Sequence, residues 1–167
     1  MLKVINYEEM KKDNIEFDIY TPINIEFGTW NISKESTVYW RIGDFEKSLL
    51  EIGLGKYKKD IRSITLTICE NVYEVENYFE NDFNVLKGSP IFELENINDE
   101  MYLDENGILK VYIENESISI VFSENKIKNC IQNNNIYFYL DENKELIGIK
   151  INNVSKENKF VLKSALT

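Results

Sequence analysis

Apolar and polar residues alternate along much of the chain with a period of two. In IRSITLTI, Ile64, Leu66 and Ile68 alternate with Thr65 and Thr67. SISIVF sets Ile118, Ile120 and Phe122 on one side. NIYFYL sends Ile136, Phe138 and Leu140 one way and Tyr137 and Tyr139 the other, and LIGIKI aligns Ile147, Ile149 and Ile151. IEFDIY from Ile15, TVYWRI from Thr37 and SLLEIGL from Ser48 read the same way. Such alternation over four to eight residues predicts half-buried strands, and β-branched and aromatic side chains suit a pleated surface. Breaks of turn character separate the runs: KYKKD, DENG, ENE, SENK, QNNN and DENK. Short strands at such spacing predict a mainly β chain of antiparallel hairpins, folded as a β-sandwich or a strongly bent sheet with one or two short helices at most.

Two segments depart from the period of two. KENKFVLKSAL, near the C-terminal end, predicts a short helix. NVYEVENYFENDFNVL places Val72, Val75, Phe79, Phe83 and Leu86 at helical spacing, with Asn71 and Glu74 at capping positions. Its many Asn and Asp residues suit an irregular loop as well, and both readings stand. Gly53-Leu54-Gly55 marks a bend or bulge.

The pentapeptide YLDEN occurs twice, from Tyr102 and from Tyr139. In each copy an apolar stretch meets Asp-Glu-Asn and then another apolar stretch. Asp and Asn bond their own backbone in turns, and Gly107 tolerates positive φ. Calcium loops need oxygen ligands at regular spacing with a closing Glu, which neither copy supplies. The repeat predicts two hairpins, near residues 101–119 and 138–156, within a single domain spanning 1–167.

A chain of 167 residues, 43% of them hydrophobic, can bury a substantial core. No run approaches the roughly 20 apolar residues of a membrane span, and the N-terminal stretch lacks the apolar region of a signal peptide. A cytoplasmic protein is expected, with Cys69 and Cys130 reduced. The chain has no histidine, so triads and Cys–His pairs lack their base, and structural zinc is disfavoured. No glycine-rich phosphate loop occurs. Neither cofactor nor metal is expected. Paired carboxylates for glycoside hydrolysis carry little weight among 29 acids, so the expectation is a protein that is not an enzyme.

The net charge of −10 is unevenly spread. Between Glu70 and Glu105 lie eleven acids and one base, Lys87, leaving 18 of each sign elsewhere. Such a stretch repels phosphate, which argues against nucleic-acid binding. Within it, Tyr73, Tyr78 and Phe79 interleave with Glu70, Glu74, Glu76, Glu80 and Asp82. One reading is a solvated acidic loop whose aromatics tuck back onto the sheet. The sharper one makes these eight residues a protein-binding surface, with aromatic anchors and carboxylates that steer a basic partner. A competing reading is a small-ligand or carbohydrate-binding β-module that stacks its ligand on Trp30, Tyr39 and Trp40, although Trp40 also fits a core position.

LLEIGL (Leu49–Leu54), IRSITL (Ile61–Leu66) and GSPIF (Gly88–Phe92) together resemble stretches of small bacterial immunity proteins of contact-dependent inhibition and other polymorphic toxin systems. YLDENKELIGIKINNVS also resembles a small bacterial domain with a Tyr, an Asp turn and a Gly-Ile-Glu-Ile strand, although Lys150 stands here where that pattern has an acid and Val154 where it has an alanine. The first resemblance implies a non-enzymatic, cytoplasmic toxin inhibitor. Its partner would be a cognate toxin with a basic surface, such as a nuclease. It transfers no functional residue.

Overall fold

The computed structural model describes residues 1–28, 32, 34–79, 83–94 and 101–166. Two large sheets pack face to face. The first has six strands in the order β10 (Tyr102–Asn106), β4 (Thr37–Gly43), β5 (Ser48–Gly55), β6 (Ile61–Cys69), β3 (Ile23–Phe27) and β2 (Asp13–Glu16). The second has seven, in the order β7 (Val72–Glu74), β11 (Lys110–Ile113), β12 (Ser117–Val121), β15 (Leu146–Asn152), β14 (Ile136–Leu140), β13 (Asn129–Asn133) and β8 (Asn84–Lys87). A ribbon of β1 (Val4–Glu8) and β9 (Ser89–Phe92) adds Val4 and Phe92 to the core. The mainly β, sandwich-like expectation is met.

Alternation along the strands builds the interior. Ile23, Ile25 and Phe27 are buried while Asn24 and Glu26 are less so. Leu50, Ile52 and Leu54 face Ile118, Ile120, Phe138 and Ile149 of the other sheet in one cluster. Rings bridge the layers, with Phe27 6.2 Å from Phe138 and Trp40 5.7 Å from Phe122. A core of this kind derives its stability from removing apolar surface from water and from close packing.

Bulges change which way some residues face. In the pairing of β5 with β6 the register shifts between Gly53 and Leu54, with Arg62 of β6 as the extra residue, so a bulge does lie at the Gly53-Leu54 step, in the facing strand. A second shift between Leu49 and Leu50 turns the end of β6 over: Cys69 is buried, whereas Ile68, aligned in the sequence with Ile64 and Leu66, is 42% exposed. A shift between Tyr139 and Leu140 leaves Ile147 as the extra residue opposite β14. Ile147 therefore packs on the opposite face from Ile149 and Ile151.

The expected C-terminal helix forms as α1 (Lys156–Leu166). Ser155 caps it by accepting the Asn158 amide at 3.1 Å. Leu162 anchors the helix in the main core, and Lys159 donates to the carbonyls of Glu114 and Asn115.

The two YLDEN copies have different structures. From Tyr139 the segment behaves as expected: β14 ends and Asp141 caps a turn by accepting the amides of Asn143 and Glu145 at 2.9 and 3.0 Å. From Tyr102 it is instead the edge strand β10, parallel to β4. The predicted turn at Asp104 is thus overturned, because β4 offers this segment an open side to pair with. A hairpin does lie within 101–119, but it joins β11 to β12 and turns at residues 114–116. Gly107 is not at positive φ. A Cβ there would lie 2.8 Å from Ile42, so close packing is what needs a glycine.

Segment 71–86, readable as helix or loop, is neither throughout. Its ends are β7 and β8, at opposite edges of the seven-stranded sheet. Between them Tyr78, Phe79 and Phe83 pack on that sheet's outer face, as parts of a strap of which residues 75–79 and 83 are described.

Candidate functional site

Edges and crossings are where the acidic stretch goes. β7, β8 and β10 are all edge strands, and β9 pairs with β1 and bridges through Ile91 to Asp60. Charge on sheet edges discourages pairing with other chains. Five of the six described carboxylates of the stretch also find bases from outside it. Glu70 meets Lys47 at 3.1 Å, Glu74 meets Lys163 at 2.7 Å, and Glu93 lies 3.9 Å from Lys3. Asp104 accepts two bonds from Arg41 at 2.7 and 2.8 Å, which hold its carboxyl below its usual range. Glu105 accepts the Trp40 indole N–H at 3.0 Å and the Met1 ammonium at 2.9 Å. Glu76 is exposed and has no ion pair among the described residues. The described carboxylates therefore do not form one continuous anionic face. Glu80, Asp82, Glu95, Asp99 and Glu100 lie outside the described residues.

The aromatic members of the predicted surface do come together, in a way the sequence did not specify. Tyr73, 44% exposed, stacks on Tyr112 of the neighbouring strand at 5.3 Å. Tyr112 stacks on Tyr78 at 3.8 Å. The three rings form a ladder along the outer face of the seven-stranded sheet. Burial, with Tyr78 alongside, raises the Tyr112 hydroxyl above its usual pKa. Tyr112 escaped the sequence reading, yet the alternation in KVYI, with Val111 and Ile113 inward, was enough to turn it outward.

Phe79 has a different role. It is 8% exposed and lies 4.1 Å from Tyr139, above Val121, Cys130 and Ile147. With Phe83, 5.1 Å from Tyr139 on the other side, it makes a second apolar cluster between strap and sheet. Phe79 thus fastens the strap and is not an exposed anchor, because a phenyl ring gains more from this contact than from water. Gly148 lies beneath it, where a Cβ would sit 3.1 Å from the Phe79 ring and 3.0 Å from the Ile120 carbonyl.

Beneath the strap lies a polar latch. The carboxylate of Glu114 is fully buried and accepts the Lys150 ammonium at 2.8 Å, the Tyr78 amide at 3.1 Å and the Ser119 hydroxyl. A buried carboxylate persists only when its lone pairs are met in this way. Nothing in ENE, which reads as a turn, distinguishes Glu114 from Glu116. Asparagines and tyrosines surround an open cleft of about 640 Å³ beside the latch, lined by Asn77, Phe83, Asn115, Tyr137, Asn152 and Lys150 among others.

The stacking platform of the competing reading is not assembled. Trp40 is 4% exposed and points into the core, while Tyr39, next in the strand, lies on the outer face and stacks on Tyr102 at 5.7 Å. Adjacent strand residues face opposite ways, so the two rings cannot share a surface. Trp30 lies outside the described residues. Both cysteines are buried and unpaired, and burial raises each thiol, that of Cys130 to about 12. Neither is a reactive nucleophile at neutral pH. Among the described residues no group of three or more His, Cys, Asp or Glu could hold a metal ion. No described helix is long and apolar enough to cross a membrane.

No protein-family model matches the chain, and no curated protein is significantly similar to it in sequence.

Proposed function

We propose that this chain is a non-enzymatic immunity protein that binds and neutralises a cognate toxin domain with a basic surface. The observation that carries this reading is the tyrosine ladder of Tyr73, Tyr112 and Tyr78, with exposed Glu76 lying between Tyr73 and Tyr78 in the sequence. Tyrosines supply large contact area with little side-chain entropy to lose, and they anchor many protein interfaces. The ladder is held before any partner arrives: Tyr78 is bonded through its backbone to buried Glu114, and Tyr73 lies in a strand. Preorganisation of this kind lowers the cost of association. The negative balance of the chain supports a cationic partner and speeds encounter with it, most strongly at low salt.

The contact surface is narrower than the acidic stretch suggests. Tyr73, Tyr78, Glu74 and Glu76 form its centre, Glu70 its margin, and Phe79 its support from below. Glu80 and Asp82 follow in the strap's sequence. Co-expression with the protein encoded by the adjacent gene tests the reading. A stable equimolar complex and rescued growth are expected, with rescue lost in the double variant Tyr73→Ala/Glu76→Lys. Absence of any complex would overturn it. A complex indifferent to that double variant would move the interface to another face.

A further inference from the structure

We propose that the cleft beside the buried Glu114–Lys150 pair is a binding site for a neutral saccharide of about disaccharide size. Its volume of about 640 Å³ lies within the roughly 300–1,000 Å³ of small-molecule sites. Three separate parts of the chain build its walls. Asn77 and Phe83 come from the strap, Asn115 from the turn between β11 and β12, and Tyr137 and Asn152 from β14 and β15.

Its lining selects the ligand by chemistry. Lys150 is the cation among the described lining residues, and it is already held by Glu114 at 2.8 Å, while Glu116, also in the lining, is exposed. An anion would meet a compensated ammonium and an opposing carboxylate. A cation would have to approach that ammonium. A neutral ligand meets neither penalty. The side-chain amides of Asn77, Asn115 and Asn152 make no hydrogen bond to other described residues. Each amide both donates and accepts, as a sugar hydroxyl does. A purely apolar ligand would strand all three amides at a cost in free energy. Tyr137 and Phe83 supply flat apolar faces for the C–H side of a pyranose ring.

The site shares no ring with the Tyr73–Tyr112–Tyr78 ladder, so it stands whether or not the chain neutralises a toxin. The test titrates the isotope-labelled full chain with maltose, cellobiose and N,N′-diacetylchitobiose, and with glucuronate as an anionic control, each to about 10 mM. At least one neutral sugar is expected to give saturable shifts of the side-chain amide resonances of Asn77, Asn115 and Asn152. Binding should weaken about tenfold in Tyr137→Ala, as loss of an aromatic contact implies, and weaken also in Asn152→Ala, which removes no core contact. Tyr39→Ala, on the other sheet, should leave it unchanged. Three results would each overturn the proposal: no saturable shift at these amides with any of the neutral sugars, binding of wild-type strength in Asn152→Ala, or equal affinity for glucuronate.

Discussion

The two outer faces of this sandwich are built from similar strands and are treated in opposite ways. On the six-stranded sheet, outward residues form a polar row that runs from Asp104 through Arg41, Glu51, Thr65 and Asn24 to Glu16, each on a neighbouring strand. Arg41 lies over Tyr102 at 4.3 Å and pairs with Asp104 in contact with water. On the seven-stranded sheet, outward residues include Tyr112, Val121, Cys130, Tyr139 and Ile147 beside a polar row of Ser119, Lys150 and Tyr137, and the strap covers part of them. The same alternation thus yields a solvated polar surface in one case and a second small core in the other. The difference lies in the outward residues: apolar ones need a cover, and cross-strand charge pairs do not. A covered face can hold a buried charge pair and rings in fixed positions, and so it is the face with the candidate sites.

The largest effect should come from breaking the latch. Lys150→Met leaves the Glu114 carboxylate buried without its cation, and a loss of about 3–5 kcal/mol is expected in urea unfolding. Adding Glu114→Gln should recover much of that loss, since the orphaned charge is then gone. If Lys150→Met unfolds like wild type, Glu114 is not the buried anchor described here. Phe79→Ala should cost about 3 kcal/mol. Hydrogen exchange should place the loss first in the strap, whereas Phe138→Ala in the main core should lower protection across both sheets. Equal loss of protection everywhere in both variants would mean that the strap is not a separable unit.

Smaller effects belong to the uncovered sheet. Asp44 accepts the amides of Glu46, Lys47 and Ser48 in the turn between β4 and β5. These bonds hold its carboxyl down at about 2, against a usual value of 3.8. A carboxylate with a lowered folded pKa contributes stability above its unfolded pKa, and that contribution is lost as pH falls towards the folded value. The thermal midpoint should therefore fall between about pH 4 and pH 2 in wild type and show a shallower slope there in Asp44→Asn. The smallest change is expected from Arg41→Ala. Its ion pair with Asp104 is exposed, so about 1 kcal/mol or less is at stake, shrinking as salt is added. A loss as large as that of Lys150→Met would erase the contrast between the faces.

Much of this was legible in the residues and some was not. The strands of SISIVF and NIYFYL, the helix of KENKFVLKSAL and the bulge at Gly53 all follow from local pattern. The strap does not. Its sequence carries helical spacing and loop composition together, and only its attachment to β11 on one edge and β13 on the other sets its aromatics on the sheet. Tyr73 and Tyr78 were visible as aromatics among acids, but Tyr112, which joins them, lies 34 positions beyond Tyr78 and meets it only through sheet order.

What the sequence determined by itself is which residues face inward along the regular stretches of the strands and where most hairpins turn, because side-chain alternation and turn dihedrals are set by neighbours in the chain; the bulges that turn Ile68 and Ile147 over were not in it. The tertiary structure alone decided that identical YLDEN segments become an edge strand and a turn, that the six described acids of the crowded stretch part company, and that Glu114 is buried while Glu116 is not. Those outcomes depend on which strand lies alongside and what crosses above, and such partners are chosen by contacts between residues far apart in the chain.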